Sequence, residues 1–245
     1  MQDIHVENAE FCIKKRCLIG KVKKDGGVKR FLVPTNELFY RNIKWNLSYN
    51  KMPFFLEFTM NGFDAKIIGE TSKQLILSIR QKQLEQIESL KVNSVYCDAK
   101  IIKLNYNTMF CELFNGIIVT VFQKELSAAH VGDIRDLFKV GQKIDLRLIN
   151  FIQCEDGVRI HASRKRCYYN LQETLEKKLL KIGDVCRATI TQRLNFDGVW
   201  VEITPGVAGV LNAEPEEIDQ LSVGQQVIVC ICQLKPGKGF KLRFE

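Results

Sequence analysis

Cysteine and histidine are the residues of this 245-residue chain whose chemistry would be easiest to recognise from spacing. Nine cysteines stand at 12, 17, 97, 111, 154, 167, 186, 230 and 232. The number is odd and no two form a CxxC pair, so neither a disulfide framework nor a zinc ribbon is indicated. Cys97, Cys111, Cys186, Cys230 and Cys232 fall inside apolar, strand-like runs, where a free thiol behaves as a small buried hydrophobe, and that usage suits a reducing compartment. His5, His130 and His161 have no spacing with Cys, Asp or Glu that would build a metal site. The Gly-Lys-Gly of PGKGF (236 to 240) lacks the Ser/Thr and helix that complete a phosphate loop and reads as a hairpin. GxSxG, HExxH and a Cys/His pair with recognisable local context are missing as well. The sequence points to a protein that is not an enzyme and carries no cofactor or metal.

What remains chemically conspicuous is positive charge. The chain has 36 Lys+Arg against 28 Asp+Glu, a net charge of +8. Residues 1 to 89 carry 15 basic and 10 acidic side chains, residues 90 to 180 carry 14 and 10, and residues 181 to 245 carry 7 and 8. The net charges are therefore +5, +4 and −1, so the first two thirds suit a polyanion and the last third does not. The run Arg164-Lys165-Arg166 reads as the solvated opening of a helix, with phosphate contact as the lesser reading. No apolar run approaches the roughly 18 residues of a spanning helix; IIVTVF (117 to 122) and VIVCICQL (227 to 234) have strand length. Asp3 and Glu7 stand where a signal peptide would be positive and then apolar. The expectation is a soluble cytoplasmic protein with no membrane partner.

The elements that position these groups come in repeats. LNYNTMFCEL (104 to 113) matches LNFDGVWVEI (194 to 203) at an offset of 90, and Gly116 and Gly206 follow at the same offset. DLFKVGQKIDL (136 to 146) matches DQLSVGQQVIV (219 to 229) at an offset of 83, and DGVRIHAS (156 to 163) is set against KGFKLRFE (238 to 245) as the closing strand. Each copy reads as five short strands with one polar, partly helical insert after the third, the pattern of a small OB-type barrel. QKQLEQIESL (81 to 90) and RKRCYYNLQETLEKKLL (164 to 180) lack Gly and Pro and carry apolar residues at helical spacing, so both read as linker helices. In the first 80 residues CLIGKV (17 to 22) resembles an opening strand, FLVPTNEL (31 to 38) a third strand, and QLILSIRQ (74 to 81) a closing one. The Phe-rich PFFLEF (53 to 58) has no assigned place. The expected fold class is mainly β, with tandem five-stranded OB-type barrels joined by short helical linkers. The domains are 1–80 (a diverged copy), 81–90 (linker), 91–163, 164–180 (linker) and 181–245.

In order along the chain, LSIRQ (77 to 81), VGQKI (140 to 144), RIHASRK (159 to 165), GDV (183 to 185), GVWVEI (198 to 203), GVAGVL (206 to 211) and VGQQV (223 to 227) resemble the RNA-binding repeat named after ribosomal protein S-one. The resemblance covers most of 90–245 and, more loosely, the first 80 residues. It implies binding of single-stranded or structured RNA on one barrel face, in translation and on the ribosome. An aromatic of the second strand and a His of the third contact bases there, while basic residues contact phosphates. Bases stack on aromatic side chains irrespective of sequence, and Lys and Arg follow the backbone.

Carried over position by position, the resemblance gives Phe110 and Trp200 the second-strand aromatic role. Phe122 stands at the third-strand His position in the middle copy and Asn212 in the last; Phe keeps a stacking surface and Asn loses it. In the first copy Pro34 stands there and no second-strand aromatic is identifiable. Tyr106 and Phe196 lie one residue early for the family's other aromatic. Lys103, Arg147, Arg159 and His161 are the cationic and hydrogen-bonding candidates of the middle copy, and Arg193, Lys241 and Arg243 those of the last. An aromatic in a strand serves equally well as core, and both roles stay open for Phe110 and Trp200. The alternative function is an adaptor whose neutral-to-acidic 181–245, with Glu214, Glu216, Glu217 and Asp219, docks on the ribosome, RNA polymerase or a nuclease.

Overall fold

The computed structural model describes residues 1–12, 17–40, 62–155, 157–194, 198–235 and 239–245. PFFLEF, Phe196 and the first three residues of PGKGF lie outside these. The chain forms two compact units, one of Met1–Lys91, Glu112–Ile118 and Phe151–Arg159, the other of Val92–Cys111, Val119–Asn150 and Ile160–Glu245. The architecture is mainly β, as expected.

Three strand sets share one order. In the first, β1 (Asp3–Val6), β2 (Glu10–Cys12), β3 (Cys17–Lys24), β4 (Gly27–Pro34), β5 (Phe63–Glu70) and β6 (Gln74–Ser78) line up as β1-β5-β6-β4-β3-β2. In the second, β7 (Val95–Leu104), β8 (Thr108–Glu112), β9 (Ile118–Phe122), β10 (Lys143–Cys154) and β11 (Gly157–Ser163) close a barrel as β10-β11-β9-β8-β7. In the third, β12 (Val185–Leu194), β13 (Gly198–Thr204), β14 (Val207–Leu211), β15 (Gln226–Lys235) and β16 (Gly239–Phe244) close a barrel as β12-β13-β14-β16-β15. The third and fifth strands of each set run parallel (β4 with β6, β9 with β11, β14 with β16), an order characteristic of the OB barrel.

Period-two alternation builds the cores. On β13 Val199 and Val201 are fully buried while Trp200 and Glu202, which alternate with them, are not. On β4 and β6 the inward residues are Phe31, Val33, Leu75 and Leu77, all at most 1% exposed. The Phe31 and Phe63 rings meet edge to face at 6.3 Å. Each such side chain contributes about 1.5–3 kcal/mol on burial. Gly209 is required by closeness: a Cβ there would run into Leu242 on the parallel neighbour β16.

Three expectations are corrected. CLIGKV is not an opening strand. As β3 it takes the second position, forming with β4 a hairpin in which Lys24 faces Gly27 across Asp25 (φ 50) and Gly26 (φ 75). Positive φ at both residues makes this the primed turn that Asp-Gly favours. The opening strand is split: β1 pairs with β5 and β2 with β3. Second, the helix expected over 164–180 is only six residues, α2 (Leu171–Glu176). Asn170 and Glu173 form a capping box that starts it late, and Lys178 at φ 52 lies outside helical space and prevents continuation. The first linker does form α1 (Ile79–Ser89), capped by the Ser78 hydroxyl. A third helix, α3 (Pro215–Gln220), is the insert after the last copy's third strand. Third, of the five cysteines placed inside, Cys111 alone is buried; Cys97 and Cys232 are exposed, because their strands have ends with little covering them on either face.

Candidate nucleic-acid interface

The outer face of β8, β9 and β11 gathers Phe110, Phe122 and His161. Met109 and Cys111 on β8 and Val119 and Val121 on β9 point into the barrel. Alternation therefore sends Phe110, Thr120 and Phe122 outward. The Gln123 amide donates to the Asn107 carbonyl at 3.0 Å. Continuing that antiparallel register places Phe122 opposite Thr108 and Thr120 opposite Phe110. On the other side, parallel pairing places His161 beside Thr120. Phe110, Thr120 and His161 thus form one row across three strands, with Phe122 diagonal to both ends. The Phe122 and His161 rings meet edge to face at 5.0 Å and 86°. Phe122 keeps 38% of its surface exposed.

Tyr106, 59% exposed, sits in the turn between β7 and β8, where the Asn105 amide donates to the Thr108 carbonyl. Its own carbonyl accepts from the Ile134 amide at 3.2 Å, which fixes the backbone beneath the ring. Lys103 is exposed on β7, two residues before the turn. Arg159 lies exposed two residues before His161 on β11, in the other compact unit.

The same positions in the last barrel read differently. Trp200 on β13 faces Val210, and Val210 faces Lys241. The structural register therefore equates Lys241 with His161, two residues from the correspondence of the sequence alignment. In the first sheet the row is Ile19, Leu32 and Ile76, so β3 supplies an aliphatic residue at the second-strand position.

Two candidates stand apart from this face. Arg193 donates to the Leu221 carbonyl at 3.0 Å and to Asp219 at 3.3 Å, so the acidic cluster occupies its guanidinium. Arg147 lies half-buried on β10 and lines a groove with Lys165, Arg166, Tyr168 and Tyr169. Trp200 lines another, with Lys124, His130 and Lys165. Sequence reasoning missed Thr120, Lys124 and Tyr168, and the run Arg164-Lys165-Arg166 is not a solvated helix face. The Arg164 guanidinium makes a two-pronged pair with Glu202 at 2.8 and 2.9 Å, donates to the Leu126 carbonyl and lies 5.4 Å from the Phe138 ring centre. With the Ala128 amide donating to the Pro205 carbonyl at 2.8 Å, this pair joins middle and last repeats inside one unit. Gly206 fits the same joint, because any Cβ would overlap the Tyr169 carbonyl. Among the described residues no cluster of His, Cys, Asp and Glu could hold a metal, and no helix is long and apolar enough to cross a membrane.

The strand order, with its parallel third and fifth strands, defines a tandem OB-barrel protein. No family model matches the chain. It is similar to the small ribosomal subunit protein bS1 homolog of Bacillus subtilis, 31% identical over 131 residues, 54% of this chain and 33% of that protein. It is similar too to the small ribosomal subunit protein bS1 of Staphylococcus haemolyticus, 30% identical over 157 residues, 61% of this chain and 38% of that one. A polyribonucleotide nucleotidyltransferase of Wolbachia pipientis is 28% identical over 124 residues, 47% of this chain but 16% of the enzyme. The matched stretches are thus little more than a third of the ribosomal relatives' own length. Over these stretches the chain is similar to ribosomal proteins of the bS1 type.

Proposed function

We propose that this is a non-catalytic, cytoplasmic RNA-binding protein acting in translation, which holds single-stranded RNA on the outer face of its middle barrel. The observation that carries this is the row Phe110, Thr120 and His161 with Phe122 beside it: alternation turns these side chains outward, Phe122 packs edge to face on His161, and Phe122 stays exposed. Stacked bases contribute on the order of 1–3 kcal/mol per aromatic. Phe110, Phe122 and Tyr106 stack bases, His161 orients Phe122 and donates or accepts a hydrogen bond, and Lys103 takes a phosphate. Trp200 is a secondary stacking position, and Arg193, already paired with Asp219, contributes least. The names of the matched ribosomal relatives support RNA and the ribosome as partners. Docking of 181–245 on another protein has the charge of that segment behind it and nothing more specific. Fluorescence anisotropy with a labelled single-stranded RNA tests the proposal. Binding should weaken as salt rises; absence of binding at low salt, or indifference to salt, would overturn it.

A further inference from the structure

The groove lined by Arg147 carries features that the aromatic row does not absorb. Its walls include Asn93, Arg147, Lys165, Arg166, Tyr168 and Asn170, all in one compact unit. Three cations face one lining carboxylate, Glu173, which is already held by the Asn170 amide at 2.9 Å in the capping box. Lys165 donates to a carbonyl, that of Lys124, so its charge has no carboxylate there. Arg166 shares its charge with Glu125 at 3.3 Å yet stays more than half exposed. The Nε of Arg147 is buried with no hydrogen-bond partner among the described residues. The half-buried Arg147 side chain also lines the groove, and for a guanidinium an anionic oxygen is the strongest acceptor. Tyr168 presents 40% of its surface on the same wall, while Tyr169 already lies under the Lys177 ammonium at 4.9 Å. The groove shares Ala128 and Lys165 with the one lined by Lys124, His130 and Trp200, so a basic strip runs on from the turn that follows Phe122.

We propose that this linker groove is a second contact for the same RNA strand, with a phosphodiester on Arg147 and Lys165 and a base stacked on Tyr168. The inference rests on the RNA-binding reading above. RNA fits better than an acidic peptide because an open aromatic face adjoins the cations and the strip continues to the stacking row. A strand held at Phe122 passes over Lys124 and Lys165 before it reaches Arg147.

The test uses the intact chain and oligouridylates of about 6 and about 20 nucleotides, chosen against OB-fold site sizes of roughly 4–16 nucleotides. The double variant Arg147→Gln with Tyr168→Ala should bind the longer RNA about tenfold more weakly and the shorter one as the parent does. Arg147→Lys, which keeps the charge, should retain most of the longer RNA's affinity, and Tyr168→Ala alone, at an exposed side chain, reports the stacking part without disturbing the fold. Phe110→Ala with Phe122→Ala should weaken both lengths. Parental affinity of the groove variant for the longer RNA, or equal loss for both lengths, would overturn the proposal and leave the stacking row standing. So would polyglutamate competing as well as RNA of equal charge. If the parent protein binds neither length, the RNA-binding reading itself fails.

Discussion

The middle and last barrels have the same strand order and similar cores, yet the corresponding row of outward residues reads Phe110, Thr120, His161 in one and Trp200, Val210, Lys241 in the other. The next position is Phe122 in the first and Asn212 in the second. Cores set by buried Val, Ile and Leu at alternate positions leave the outer face free to vary. One copy has spent that freedom on paired aromatic rings, the other on one indole with a lysine beside an acidic cluster that ties up Arg193. The third set, with Ile19, Leu32 and Ile76, has no ring in the row at all. Similarity of fold thus says little about which copy holds a ligand; in the function proposed above, the outward residues of the second, third and fifth strands decide it.

The comparison breaks most readily at the middle row. Removing both rings, Phe110→Ala with Phe122→Ala, should weaken RNA binding by about 100-fold, whereas Trp200→Ala should cost tenfold or less, read by anisotropy at one salt concentration. Equal losses would mean that the two barrels share the work. Arg164→Ala separates the copies instead of altering either row. It leaves Glu202 without its pair and should lower unfolding stability by about 2 kcal/mol, after discounting for partial exposure, measured by urea denaturation. A second, earlier transition should follow from the lost joint. Asn212→Phe runs the comparison in reverse: a ring at the position of Phe122 should tighten RNA binding several-fold, by roughly 1 kcal/mol. Smallest is Lys103→Gln, which should flatten the dependence of log affinity on log salt by about 0.7, one phosphate contact to a single strand.

Much of the fold was legible because repetition and alternation are properties of the chain itself. GVWVEI and its counterpart at an offset of 90 read as strands, and they form β13 and β8. What failed to read depended on pairing. CLIGKV has the composition of any edge strand, and only its hairpin with β4 makes it second in order. The alignment of the closing strands slipped by two residues because a two-residue shift preserves the inside-outside pattern, so Arg243 rather than Lys241 was set beside His161. Arg164 looked like a solvated cation because its partner Glu202 lies 38 residues on, in another repeat. The cysteines illustrate the same limit. Cys111 is inward and burial pushes its thiol up to about 12, so it stays protonated and unreactive at pH 8, whereas Cys97 and Cys232 on exposed strand ends should be alkylated by iodoacetamide in the folded protein. Mass spectrometry of the alkylated sites reads this directly.

Photo-crosslinking of a 4-thiouridine-substituted single-stranded RNA to the intact chain, with the attached peptides mapped by mass spectrometry, puts the central claim to the most direct test. Attachment should concentrate on Tyr106, Phe110 and Phe122 and fall sharply in the Phe110→Ala, Phe122→Ala variant. Attachment confined to 181–245, or to the face of Ile19, Leu32 and Ile76, would contradict a middle-barrel site.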